Sequence, residues 1–91
     1  MTQTNPNIFE DLGFSAEESE NLRVRSDLMI SLRQLIRSKQ WSLEEAALHL
    51  KTTIDCVEEL LAGKIDRFQV ESLITMLTHA GMKVQVEIVA A

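Results

Sequence analysis

The sequence predicts an all-α domain, a bundle of about five helices followed by a C-terminal β-strand. Apolar residues recur at three- and four-residue spacing through most of the chain, the mark of helices with one buried face. Ser-x-x-Glu capping boxes at Ser15–Glu18 and Ser42–Glu45 open two of those helices, and single glycines at 13, 63 and 81 punctuate them. With 91 residues, 45 % apolar and 25 % charged, the chain can bury one modest core and not two.

Residues 1–14 read as a tail and docking segment: a polar stretch with one proline, then Ile8, Phe9, Leu12 and Phe14 around Gly13. Residues 15–81 read as the helical domain. After Ser15, an apolar face runs from Leu22 through Leu28, Met29, Leu32, Leu35 and Ile36, as one helix or as two split at Ser26-Asp27. A helix starts after Ser42 and runs to about Leu50, with Trp41 shielding the core ahead of it. After the tight connection Lys51-Thr52, Thr53 caps the next helix and Gly63 ends it. A last helix is expected from about Asp66 or Arg67 to Ala80, with Phe68, Val70, Leu73, Ile74 and Leu77 inward and Gly81 as its stop. Met29, Met76 and Met82 read as core packing. Residues 82–91 then alternate, with Val84, Val86 and Ile88 on one face, and read as a strand. A terminal strand needs a partner, either the N-terminal segment or the same strand of a second copy. The second copy is the favoured one, making these three residues the dimerisation set.

Net charge is −5, but its distribution is uneven. Residues 1–20 hold five acids and no base, residues 21–40 hold five bases against Asp27, and residues 41–63 hold five acids against Lys51. The single cysteine, Cys56, excludes an intramolecular disulfide and a Cys-rich zinc site, and suits a reducing cytoplasm. The opening MTQTNPN does not resemble a signal peptide, and no stretch is long and apolar enough to span a membrane.

Two short helices joined by a turn of a few residues make a helix-turn-helix unit. Its key residues are Ala46, Ala47, Leu50, Thr53, Val57 and Leu60: the small residues let the helices approach, and the larger ones fill the angle between them. With "NIFEDLGFS", "EEAALHLKTTIDCVEELLAGKIDRF" and "LITMLTHAGMKVQVEI", nearly the whole chain resembles the phage-repressor-like (XRE/Cro) proteins, whose fold is that of lambda repressor, and within them the HigA-like antitoxins. The resemblance implies a dimer that binds the operator of its own gene, beside a basic RelE-like toxin. By position it places the helix-turn-helix at residues 42–63 and the recognition helix at residues 53–62. Ser42, Thr53, Ile54, Asp55 and Glu58 would then approach DNA, with Lys64 and Arg67 on the phosphate backbone.

The sequence departs from that pattern where bases would be read. Relatives carry Gln, Arg, Lys or Ser at several outward positions of this helix, whereas this chain has Asp55, Glu58 and Glu59. A carboxylate accepts a hydrogen bond only from the amino groups of cytosine and adenine among the major-groove base edges, and the neighbouring phosphates repel it. Lys51 stands in place of the usual turn glycine, Thr52 in place of an apolar turn residue, and Leu43 and Ser72 in place of polar contacts.

Simpler readings are available for most other polar residues. Lys64 and Arg67 could belong to a solvated loop, and Arg33 and Arg37, one turn apart, to a solvated helix face that serves phosphate only if it lies beside the recognition helix. His49 and His79 lie in different helices with no second ligand at metal spacing, Cys56 reads as a small helix filler, and Glu44 and Glu45 are explained by capping. No metal, cofactor or enzymatic activity is expected. Two functions remain: a dimeric DNA-binding regulator, or a helix-turn-helix scaffold whose acidic helix meets a basic protein.

Overall fold

The computed structural model describes residues 16–90. Four α-helices, α1 (Ala16–Lys39), α2 (Leu43–Leu50), α3 (Ile54–Leu61) and α4 (Val70–His79), surround one core, with a 3-10 turn at Ile65–Arg67 between α3 and α4. The tail and docking segment, including Ile8, Phe9, Leu12, Phe14 and the Ser15 cap, lies outside the described residues. No helix among the described residues is long and apolar enough to cross a membrane.

The face expected for α1 is the buried one: Leu28, Met29, Leu32, Leu35 and Ile36 all face the core. The helix does not break at Ser26-Asp27. No Gly or Pro interrupts it, and the Asp27 carboxylate that could cap a new helix is held by Arg23 one turn earlier, at 3.2 Å. Arg23 also binds Glu20 at 2.8 Å. Its hydrogen bond holds the Glu20 carboxyl below the usual carboxylate range. Any stability from this exposed pair is therefore present above that range and lost as pH falls through the lowered pKa.

α2 opens as its sequence dictates. Ser42 Oγ accepts from Glu45 N at 3.1 Å, and Glu45 Oε1 accepts from Ser42 N at 2.9 Å, the two halves of a capping box. Thr53 caps α3 by accepting from Cys56 N at 3.1 Å. Between these helices Ala46, Leu50, Val57 and Leu60 are fully buried and Ala47 nearly so, which fixes the angle of the hairpin. α1 packs on α4, and the hairpin closes the bundle with α3 against α1 and α2 against α4. Leu32, Leu50, Leu60 and Leu73 have no exposed surface, and each such burial is worth about 1.5–3 kcal/mol.

All four helices end alike. The amide two residues beyond the last full turn reaches back five positions, in Trp41 N to Ile36 O, Thr52 N to Ala47 O, Lys64 N to Glu59 O and Met82 N to Leu77 O, at 2.9–3.2 Å. Each closure places its penultimate residue in the left-handed region: Gln40, Lys51, Gly63 and Gly81. Glycine does this without a steric cost, whereas Gln40 (φ 56°) and Lys51 (φ 57°) carry a Cβ against the following carbonyl. Replacing Lys51 by Gly is expected to raise the free energy of unfolding by about 0.5–1 kcal/mol, net of the greater freedom of glycine in the unfolded chain. In a thermal melt that is an upward shift of a few degrees, and a lower midpoint would contradict the closure.

Three expectations need correction. The last helix starts at Val70, because Phe68 takes an extended conformation (φ −125°, ψ 144°) that drives its ring into the core and separates the 3-10 turn from α4. Met82 is 47 % exposed, since the reversal at Gly81 carries it off the helix face that buries Met76. The strand expected over residues 82–91 is not formed in its described part: residues 82–90 have no regular structure. A ladder needs a second strand, and the described residues supply none. Val84 packs partly on the core, while Val86 and Ile88 of the expected dimerisation set are 76 % and 90 % exposed.

Candidate nucleic-acid interface

α3 has eight residues, and its inward side is fixed by Val57 and Leu60. Its outward side therefore carries Ile54, Asp55 and Glu58, all exposed, while Glu59 is half-buried on the flank. The cap at Thr53 uses the hydroxyl oxygen as an acceptor, which leaves its O–H free to donate. Ser42 stands in the same condition at the start of α2. The first amides of α3, at Ile54 and Asp55, have no intrahelical acceptor, as at any helix start. Thus the N-terminal turn of α3 offers a hydroxyl and backbone donors, and one turn further on it offers carboxylate.

The connection after α3 is pinned from α1. Arg25 Nη1 donates to Ile65 O at 3.4 Å and to Phe68 O at 3.3 Å, bracketing the 3-10 turn that carries Arg67. Arg33 Nη1 lies 3.7 Å from the position a Cβ on Gly63 would occupy. Of the basic pair on α1, Arg33 therefore does lie beside the end of α3, the condition set for it to matter. His79 ties α4 to the hairpin in turn: its Nδ1 is 3.2 Å from Leu50 O, a carbonyl that can only accept, so Nδ1 carries the proton. His49 stacks on Trp41 with ring centroids 4.3 Å apart, which keeps Trp41 half-buried over the core. Cys56 is half-buried against the core and unpaired. The sequence carried no signal for the Arg25 and His79 contacts, because each joins residues far apart in the chain.

The expected site residues fall into two groups. Lys64 borders an open groove with Asp55, Glu58, Glu59 and Ala62, so it stands with the outward face of α3. Arg67 instead lines, with Cys56, Glu71 and His79, a cleft of about 430 Å³ between α3 and α4 that shares the Glu59 wall with that groove. Arg67 Nε lies 3.8 Å from Glu59 Oε2, a long and largely solvated pair worth at most about 1 kcal/mol and easily exchanged for another anion. Val84, Val86 and Ile88 belong to neither group and lie in the segment beyond α4.

The sequence matches a family model described as a helix-turn-helix domain over residues 8–89, nearly the whole chain and including the segment beyond α4. No curated protein matches it. A helix-turn-helix domain points to a DNA-binding regulator, consistent with the capped hairpin formed by α2 and α3 and its exposed N-terminal turns. The chain belongs to the helix-turn-helix domain family.

Proposed function

We propose that this protein is a sequence-specific transcriptional regulator that binds the operator of its own gene as a homodimer, in the manner of HigA-like antitoxins of the XRE/Cro group. The observation that carries the reading is the hairpin itself: α2 and α3 are capped, locked by fully buried residues, and expose the start of α3. In this reading Thr53 and Ile54 approach the bases, Ser42 approaches the backbone, and Lys64 and Arg67 hold phosphate. Asp55 and Glu58 restrict what can be read, because only the amino groups of cytosine and adenine offer a carboxylate a hydrogen bond in the major groove. The apolar pair Val86 and Ile88 supports the dimer: two residues apart and almost fully exposed, they have the spacing of one strand face awaiting a partner. A basic RelE-like toxin is the partner that the antitoxin reading adds.

The test is fluorescence anisotropy with a labelled duplex from upstream of the gene and an unrelated duplex of equal length. The wild-type protein is expected to prefer its own duplex, and Lys64→Ala/Arg67→Ala to weaken both about equally while reducing the salt slope by about two. Equal affinity for the two duplexes at low salt would overturn sequence-specific reading. A second reading, in which α3 meets a basic protein, is favoured by Asp55 and Glu58, which have no hydrogen-bond or ion-pair partner among the described residues. It requires a complex with a basic protein that Glu58→Lys/Glu59→Lys disrupts.

A further inference from the structure

The basic residues of the described chain divide by what already occupies them. Arg23 is held by Glu20 and Asp27, Arg25 by two backbone carbonyls, and Arg67 by Glu59. Arg33 has no hydrogen bond or ion pair among the described residues, although it is half-buried and its Nε is shielded from solvent. A guanidinium in that condition has given up part of its hydration without gaining an anion in return. Its position is equally specific, because Nη1 stands beside Gly63, one residue from Lys64. Lys64 is exposed and likewise unpaired.

From this we infer that Arg33 of α1 is a nucleic-acid backbone contact, holding phosphate together with Lys64 at the end of α3. The inference rests on the DNA-binding reading above and adds to it a residue from outside the helix-turn-helix. The chemistry matches the side chain: a planar guanidinium presents paired N–H donors to the oxygens of one phosphate, and its five donors leave several for the anion. The end of α3 is also where such help is needed. Lys64 shares its groove with Asp55, Glu58 and Glu59, of which only Glu59 is paired among the described residues, with Arg67. One cation therefore faces two unpaired carboxylates there, and a second cation offsets the remaining charge against a polyanion.

The experiment measures affinity for the upstream duplex by anisotropy between about 50 and 200 mM salt for wild type, Arg33→Met and Arg33→Lys. Methionine keeps an unbranched stem for packing while removing the charge, and a circular dichroism melt confirms that each variant is folded. Arg33→Met is expected to flatten the slope of log K against log salt by about one, so that its affinity falls roughly 3- to 4-fold less than wild type over that range. Arg33→Lys is expected to keep the wild-type slope. An unchanged slope in folded Arg33→Met overturns the inference, and so does an equal loss of slope in Arg33→Lys, which would make the role structural. If Arg33→Met does not fold, Arg33→Gln, which also removes the charge but keeps a polar end, replaces it, and the same two results are read from its slope. Wild-type protein that binds no duplex at low salt sinks the DNA reading itself, and the inference with it.

Discussion

Leu50→Ala is expected to lower the free energy of unfolding by about 2–5 kcal/mol, the range for truncating a fully buried leucine that leaves a cavity. Leu50 has no exposed surface and sits where α2 gives way to the turn. Its carbonyl meets His79 of α4, so the same residue joins the hairpin to the rest of the bundle through side chain and backbone. Small domains are stable by only about 5–15 kcal/mol in total, so a loss in this range removes much of the margin. Urea unfolding followed by circular dichroism measures it. A loss below about 1 kcal/mol would mean that the site collapses around the smaller side chain, and that the hairpin angle does not depend on Leu50.

Neutralising the outward face of α3 with Asp55→Asn/Glu58→Gln is expected to strengthen binding to duplex DNA about tenfold at low salt. Each carboxylate brought to roughly 4 Å from a phosphate costs about 1 kcal/mol in a water-like dielectric, and screening lowers the sum of two. Neither side chain has an internal cation to release, since among the acids of α3 only Glu59 is paired, with Arg67. Both substitutions keep size and add an amide donor, so helix packing should survive. The anisotropy assay also yields the opposite result cleanly. Weaker binding to the upstream duplex, with unrelated duplex unaffected or improved, would show the carboxylates accepting from a base amino group, of cytosine or adenine, and reading sequence directly.

Much of the fold was legible because it is written in local rules. The buried face of α1, the Ser42 capping box, the Thr53 cap and the stops at Gly63 and Gly81 each follow from a few neighbouring residues. The left-handed closure at Gln40 was not legible, because nothing in that side chain marks the conformation, and the closing bond from Trp41 to Ile36 decides it. The same holds for Lys51, whose departure from the usual glycine was visible although its conformation was not. The strand at the end of the chain shows the converse error. Alternation states which residues share a face, but a strand exists only with a hydrogen-bonded neighbour, which the described residues do not provide. At the candidate interface, sequence order placed Lys64 and Arg67 together. Packing instead puts Lys64 with Asp55 and Glu58, Arg67 in the cleft beside α4, and Arg33 next to Gly63. Contacts between residues thirty or forty positions apart, such as Arg25 with Phe68, have no local signature to read.

The central claim is that DNA meets this protein at the start of α3 and at the connection that follows it. Amide chemical-shift mapping of the isotope-labelled protein, titrated with its own upstream duplex at low salt, tests that most directly. The predicted result is a set of shifts concentrated at residues 42, 53–58 and 63–67, with little change along the outward side of α4. Saturating shifts confined to α4 or to residues 82–90, or no shifts with any duplex, would contradict it.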